Sequence, residues 1–562
     1  MLAMIRNSFP LIIKIFSIIA FLVLSNLHLD LKSRIDLLWH NFGGLTGIFL
    51  FLLIWFICVA SFVFLCFSKN TFIKYLFVVL ILLATALDII YGYVSHSHLN
   101  YDSFAILLEA RNNLSDAISF YLIYILKSLF IISLGLFAIF FKSKSFSTFD
   151  VNKSHDALIL HPLSKLLIFF MPIAVIFSLS VVRGGYGTDG LPSQYRLLGL
   201  YPLISINNYV SSKFIRSTPP EISTSEKKLN IVLVMDESVR GDYLDINVYK
   251  GITPYLYNNR DKVINFGLAL SSSNCSSGSN YIMRTGASPF NFQKSIVSNP
   301  LIWDYARNAG YESHYLEIQE SEGKLNNKMT LSEKNKIENF KYFTGVSRLD
   351  KDLKSIDYIK SQISRGDNSF IYVQRAGVHF PYEGSYDLRR AKYHPHMGFD
   401  IKVKSKETMV NSYKNAIAYS VDLYFKKLFN DLDLKNTLII YTSDHGQNLY
   451  DNKTWLTHCS VENTSRYEVT VPLMIITENQ EIRKQFEKSA IFNKNKTSHY
   501  NIIPTILELM GYEKEYINAN HYSGLLDHQI KKPSAKLGIV SNYRFSFSGD
   551  DYNTAYKVSF EK

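Results

Sequence analysis

The sequence predicts two parts of different class: an N-terminal bundle of five transmembrane helices, and a C-terminal α/β domain on a doubly wound, mostly parallel sheet. Three observations predict it. Five apolar stretches in the first 200 residues are each about long enough to cross roughly 30 Å of hydrocarbon as a helix. Four short, continuous apolar runs follow later, of the kind that forms strands covered on both faces. Helical patterns separate those runs, and such alternation builds a sheet with helices on both sides. Composition agrees: 47% hydrophobic and 19% charged residues over 562 positions exclude a disordered chain and require several domains. Four cysteines exclude a disulfide scaffold. A net charge of +12 admits nucleic acid or an anionic membrane as partner, and the apolar spans decide for the membrane and against nucleic acid.

The five spans are placed near 9–27, 46–68, 73–95, 119–141 and 164–182, in a transmembrane domain of residues 1–200. The first is longer than a signal-peptide core and lacks a small-residue cleavage site, so it is read as an anchor. Arg6, Lys69, Lys74, Lys142, Lys144 and Lys153 fall on one side of the spans, against Lys32, Arg34 and Arg111 on the other. The richer side is read as cytoplasmic, which puts the N-terminus inside and everything after about residue 185 outside. Asp88 and Lys127 lie within the third and fourth spans, each roughly 10–12 Å from the outer end at about 1.5 Å per residue. A lone charge at that depth is costly, so the two are expected to pair. The outer loop 96–118 carries helical periodicity from Tyr101 to Ile118. Gly184, Gly185, Gly187 and Gly190 follow the last span, and residues 201–228 read as an amphipathic bridge ending in a linker, STPPEISTSEKK.

The outer domain is assigned to residues 229–562. Its strands are read in NIVLVMD (230–236), SFIYVQ (369–374), TLIIYTSD (437–444) and VPLMIIT (471–477), with helices over 408–430 and 501–512. Open α/β sheets bind ligands beyond the carboxyl ends of their strands. There the first run ends in Asp236-Glu237-Ser238 and the third in Asp444-His445-Gly446. Glu, Asp and His together suit a zinc-like divalent ion with one position left for a nucleophile or substrate. Between them, SSSNCSSGSNYIMRTGAS (271–288) is a Ser/Gly-rich turn opening into a helix. A hydroxyl at a helix N-terminus faces backbone N–H groups, a good setting for phosphate.

In this order the motifs carry a resemblance. NIVLVMDESVRGDYL, TPYL, the cysteine-led Ser-rich segment, HFPY, SDHG and SHYNIIPTILELMG resemble the phosphoethanolamine transferases, including the lipid A-modifying and mobile colistin-resistance enzymes of the alkaline phosphatase superfamily. The resemblance covers nearly the whole chain and implies a sulfatase-like catalytic domain on a five-helix anchor. It implies zinc, one ion tightly bound with a second left open, held by Glu237, Ser279, Asp444 and His445. Ser279 is the implied nucleophile because it lies four residues after Cys275, with Ser277 as the fallback. His379 and His458 match histidines that bind a second metal or the phosphate and assist proton transfer, and Lys324 matches a substrate-contacting lysine. The implied reaction moves phosphoethanolamine from phosphatidylethanolamine to lipid A or lipopolysaccharide core through a covalent serine intermediate. The implied location is a bacterial inner membrane, with the catalytic domain periplasmic. A glycerol-phosphate transferase, a sulfatase or phosphodiesterase, and a non-catalytic scaffold are the competing readings.

Four departures from the family pattern bear on the site. Serine stands for the usual threonine nucleophile. Asp236 stands where a glycine is usual, an added carboxylate that is expected to strengthen metal binding, and Gln447 stands for a glutamate. The family's several disulfides cannot form, because only Cys275 and Cys459 lie outside the spans, and a bridge between those two is left open.

Overall fold

The computed structural model describes residues 2–41, 44–68, 71–109, 114–142, 162–222, 229–366, 368–398, 405–460, 464–528 and 530. Lys69, Arg111, Lys144 and Lys153, which entered the orientation argument, lie outside the described residues. The chain divides into two compact units between Ser212 and Lys213.

The first unit holds eight described helices: α1 (Leu2–Asn26), α2 (Leu31–Asn41), α3 (Leu45–Phe67), α4 (Thr71–Ser95), α5 (Tyr101–Glu109), α6 (Leu114–Phe140), α7 (Pro162–Val182) and α8 (Arg196–Ser211). The five expected spans are α1, α3, α4, α6 and α7. Stretches of the first four are long and apolar enough to cross a membrane, and the apolar run of α7, Leu166–Val182, is shorter. Phe21, Phe62, Phe77, Ile81, Phe169 and Ile176 form their shared core, while Phe9, Phe49, Phe56, Phe72 and Phe130 are more than half exposed. Apolar faces turned outward on this scale suit hydrocarbon as the surroundings. The periodicity beginning at Tyr101 is α5, and the amphipathic bridge is α8, which starts five residues earlier than read and packs against α7 and α4.

Asp88 and Lys127 do not pair. Asp88 is fully buried and accepts hydrogen bonds from His28 Nε2 (3.0 Å), Ser193 Oγ (2.5 Å), the Leu99 amide (3.0 Å) and Arg196 Nη2. Its counter-ion therefore comes from α8, beyond the last span. The Lys127 ammonium lies 5.5 Å from the ring centroids of both Tyr93 and Tyr124, where aromatic faces take the place of a carboxylate.

The second unit is built on seven strands, β1 (Asn230–Asp236), β2 (Val263–Leu270), β3 (Glu312–Glu317), β4 (Asn339–Tyr342), β5 (Ser369–Gln374), β6 (Thr437–Ser443) and β7 (Thr470–Thr477), in the order β2-β7-β6-β1-β5-β3-β4. The five strands from β6 to β4 are parallel; β7 is antiparallel to β6 and to β2. VPLMIIT is thus the antiparallel exception in the mostly parallel sheet, because an all-apolar run reports burial on both faces and not direction. Alternate residues of β1 enter two different cores. Ile231, Leu233 and Met235 pack with Trp303, Phe370 and Ile502, whereas Val232 and Val234 pack with Ile356, Met409 and Phe425. Both faces are thus covered, which is why β1 has no polar alternation. The parallel register pairs Asp236 with Ser443 and Met235 with Gln374, so the chain leaves β1, β6 and β5 along one edge of the sheet.

Candidate active site

Glu237 and Asp444-His445 are the first residues past β1 and β6. Both turns are fixed by hydrogen bonds to these carboxylates, on one oxygen of Asp444 and on both oxygens of Glu237. Asp444 Oδ1 accepts from the Ser238 amide (3.0 Å) and the His445 amide (2.7 Å). Ser238 holds a left-handed backbone (φ 62°), and its hydroxyl donates to Glu237 Oε1 at 2.6 Å. Gln319, in the turn after β3, donates to Glu237 Oε2 at 2.8 Å. His445 directs Nδ1 at the Gly446 carbonyl (2.6 Å), which fixes the proton there and leaves Nε2 to face the carboxylates. One ligand atom each from Glu237, Asp444 and His445 lie within 4.8 Å of one another, all buried.

Two buried carboxylates and an imidazole at this spacing call for positive charge. Burial works against a charged ring, yet Asp444 and Glu237 lift the His445 imidazole to about 9. Glu237 is drawn below the usual carboxylate range despite its burial, by the hydrogen bond and charge of His445. Burial and the charge of Glu237 push Asp444 above that range. Asp444 Oδ2 is buried without a hydrogen-bond partner, an expense that proteins rarely tolerate unless something else satisfies the atom. A divalent cation among these three groups satisfies Oδ2 and relieves the repulsion between the carboxylates, so the donor set fits zinc.

The hydroxyl beside this trio belongs to Ser276 and not to Ser279. Ser276 opens the helix Ser276–Thr285, with Oγ 3.1 Å from His445 Nε2 and 3.2 Å from Glu237 Oε2. Ser279 lies one turn further on, where its Oγ donates to the Ser273 carbonyl (3.1 Å) and accepts from the Ser273 amide (3.1 Å). The helix starts directly after the cysteine, so a four-residue count from Cys275 passes the site by a turn. The helix start itself was the available signal, since the first helical residue is the one presented with free backbone N–H groups.

His458 stacks on His445 with ring centroids 4.3 Å apart, and His379 lies 6.1 Å from His458. Burial, with His445 and His379 nearby, holds the His458 imidazole well below its usual range. Burial also lowers His379, against the pull of Glu237. Gln447 donates to the Tyr382 hydroxyl (2.8 Å) and turns its carbonyl to His458 Nδ1 (3.2 Å). Thr457 Oγ1 lies 3.1 Å from the same Nδ1, so the glutamine and the threonine together orient the histidine.

Other expectations fall elsewhere. Asp236 does not add a ligand: its carboxylate accepts from Arg375 Nη1, the Tyr441 hydroxyl (2.5 Å) and the Glu237 amide (2.9 Å). It braces the end of β1 from behind. Lys324 is exposed in the turn between β3 and β4, its carbonyl accepting from the Tyr342 hydroxyl at 2.7 Å. Cys275 and Cys459 are joined in a disulfide, which ties the residue before Ser276 to the residue after His458. Glu468 reinforces the same junction by accepting from Asn274 Nδ2 and Ser460 Oγ, both at 2.7 Å. Gln319 and Ser276 are the site residues that sequence reasoning missed.

A sheet with acidic and imidazole groups at adjacent strand ends, facing a hydroxyl at a helix start, could hold a divalent cation beside a nucleophile. A family model described as Sulfatase matches residues 229–512, and the chain belongs to that family. Among curated proteins, phosphoethanolamine transferase EptA of Escherichia coli K12 is 30% identical over 159 residues, 26% of this chain and 29% of that protein. The Kdo(2)-lipid A phosphoethanolamine 7''-transferase of Escherichia coli K12 is 21% identical over 349 residues, 57% of this chain and 59% of its own length. The chain thus spans less than two thirds of either relative. Among solved structures, the integral membrane lipooligosaccharide phosphoethanolamine transferase A (EptA) from Neisseria meningitidis superposes with a TM-score of 0.62 at 18% identity. That superposition covers 90% of this chain and 97% of the other, and extends the shared fold through both units.

Proposed function

We propose that this chain is a membrane-anchored, zinc-dependent phosphoethanolamine transferase of the bacterial inner membrane, its catalytic unit on the periplasmic side. On this reading it takes phosphoethanolamine from phosphatidylethanolamine and passes it to lipid A or lipopolysaccharide core. The observation that carries the reading is the Ser276 hydroxyl, 3.1 Å from His445 Nε2 and 3.2 Å from Glu237 beside the unsatisfied Asp444 oxygen. The partial matches to curated phosphoethanolamine transferases support the choice of group transferred.

Glu237, Asp444, His445 and the Ser276 oxygen would hold the zinc. When bound, the ion lowers the pKa of a hydroxyl and polarises phosphoryl oxygens. With those residues holding the ion, the Ser276 hydroxyl would give up its proton to solvent more readily. Ser276 Oγ attacks the phosphorus of the donor, the phosphorus–oxygen bond to the glycerol breaks, and diacylglycerol departs once its oxygen takes a proton. The amides of the first turn after Ser276 face the negative phosphoryl oxygens. Burial keeps His379 and His458 neutral, so they would relay this proton from solvent, a ring nitrogen taking it up and passing it to the leaving oxygen. In the second step the neutral imidazole of His458, oriented at Nδ1 by Gln447 and Thr457, takes the proton of the acceptor hydroxyl as that oxygen displaces Ser276. Lys324, on its exposed turn, is reserved for acceptor contact.

Intact mass spectrometry of the detergent-solubilised protein incubated with phosphatidylethanolamine tests this directly. One phosphoethanolamine should be gained by the native protein and by Ser279→Ala and Ser277→Ala, and by none of the Ser276→Ala protein. Ser276→Ala should still bind zinc through the other three ligands. An adduct that persists in Ser276→Ala and vanishes in Ser279→Ala would return the nucleophile to the earlier position. An adduct formed only from phosphatidylglycerol would make the chain a glycerol-phosphate transferase, and release of free ethanolamine phosphate would make it a hydrolase.

A further inference from the structure

The second unit holds a cleft that the reaction above does not use. Its volume is about 580 Å³, within the roughly 300–1,000 Å³ of small-molecule sites. The helix Phe292–Ser298 forms one side, residues 215–217 a second and residues 518–521 a third. It sits at the far end of the helix that opens with Ser276. There the Gly286 carbonyl accepts from two lining residues, Asn299 Nδ2 (3.1 Å) and His521 Nδ1 (2.9 Å). Ten helical residues at about 1.5 Å each put the cleft roughly 15 Å from Ser276, too far to take part in the chemistry.

Two cations line this cleft and, among the described residues, no carboxylate does. Arg216 is held by neutral acceptors: Nη1 donates to the Asn299 carbonyl (2.9 Å), and Nη2 to the Ile296 carbonyl (3.2 Å) and the Tyr281 hydroxyl (3.1 Å). Those bonds fix the guanidinium against the helix that carries Lys294, whose exposed ammonium has no partner among the described residues. Two like charges beside one short helix repel each other, and a bound anion relieves them. The remaining lining suits hydroxyls. Asn291 makes no capping bond to its own helix, and neither it nor Asn518 has a side-chain partner among the described residues. Each amide offers both a donor and an acceptor, as a hydroxyl requires. Phe290 is 71% exposed at the cleft, its ring 5.5 Å from that of Tyr522. The negative face of such a ring meets the C–H edges of a sugar.

We propose that this cleft binds an anionic sugar, with its phosphate or carboxylate on Lys294 and Arg216, its hydroxyls on the amides of Asn291 and Asn518, and its ring face over Phe290. The site goes beyond the transferase reading and stands without it, since it needs neither the metal ligands nor Ser276.

The test is titration calorimetry of the full chain in detergent with glucose 1-phosphate, galacturonate, glucose, inorganic phosphate and glycerol 3-phosphate. Binding at the cleft is the component that Lys294→Gln weakens and Ser276→Ala keeps. In that component both acidic sugars should bind at least about tenfold more tightly than glucose, which lacks the acid. Inorganic phosphate and glycerol 3-phosphate, the latter a lipid headgroup fragment, lack the ring and should be weaker by a similar factor. Lys294→Gln should bring the acidic sugars down about tenfold, and Phe290→Ser about fivefold. Both side chains are exposed, so neither change should unfold the protein. Undiminished binding in both variants, or loss in Ser276→Ala, would place the sugar elsewhere. Equal binding of glucose would mean that charge is not read, and equal binding of glycerol 3-phosphate or phosphate would mean a site for a headgroup or a simple anion. Each of these outcomes overturns the proposal. Lys294→Gln should still gain the Ser276 adduct, so this inference and the transferase reading fail separately.

Discussion

Glu317, the last residue of β3, is a carboxylate held where water does not reach: it is 1% exposed, and its Oε1 accepts from the Gln319 amide (3.0 Å) and the Glu320 amide (3.1 Å). Those two bonds fold the turn that presents Gln319 to Glu237. Burial dominates over them and pushes the Glu317 carboxyl up to about 7, from 4.5. A folded-state value raised above the unfolded one means the native protein prefers the protonated acid. The stabilisation is therefore complete below about 4.5 and is lost as pH rises through about 7. At about 1.36 kcal/mol per unit, ionising this group in the folded state costs roughly 3 kcal/mol. Glu317→Gln keeps an oxygen for both amides and never ionises. It should raise stability above pH 7 by roughly 2–3 kcal/mol, on the same basis, and flatten the decline between those two values. Thermal unfolding across pH checks this; a variant with the native slope would refute it. At this scale the grouping of Glu237, Asp444 and His445 was legible, because strand ends with Asp, Glu and His are informative in any open sheet. Ser276 was not, because a count from Cys275 ignores where the helix begins.

At the scale of elements, legibility followed burial. β1, β5, β6 and β7 are covered on both faces and read as unbroken apolar runs. β3 (ESHYLE) and β4 (NFKY) approach the sheet edge and carry polar residues, and β2 has a register irregularity between Asn265 and Leu268. None of these three gives a strand signature in one dimension. The membrane helices were legible for the opposite reason, since hydrocarbon tolerates no polar alternation. Their polar pairing was not, because periodicity says nothing about which later element returns to a buried charge. Asp88 meets Arg196 of α8. Removing one member of a buried pair leaves the other uncompensated, so Asp88→Ala should cost roughly 3–5 kcal/mol. Lys127→Ala loses only its ring contacts, at about 1 kcal/mol. Unfolding of the solubilised protein in denaturant distinguishes the two, and equal losses would restore the Asp88–Lys127 pair.

The whole molecule joins two units with separate cores, one apolar on its outside and one closed around the sheet. All the groups placed in the reaction, from Glu237 to His458, belong to the second unit. The chain from Lys213 onward should therefore fold, bind zinc and form the Ser276 adduct without the helices. What it should lose is access to a substrate confined to a bilayer. Anchoring turns the encounter with such a lipid into an intramolecular event, and effective concentration of this kind is worth about 10²–10⁴ without any new contact. The prediction is a split by substrate form. On a short-chain phosphatidylethanolamine dissolved below its micelle concentration, the piece from Lys213 should form its adduct within about tenfold of the full chain's rate. On the same headgroup embedded in vesicles, it should be slower by about a hundredfold or more. Timed mass spectrometry of both proteins against both donors gives the four rates. Equal slowing on both donors would mean that the first unit shapes the site itself, and equal rates on vesicles would mean that the anchor serves something other than donor capture.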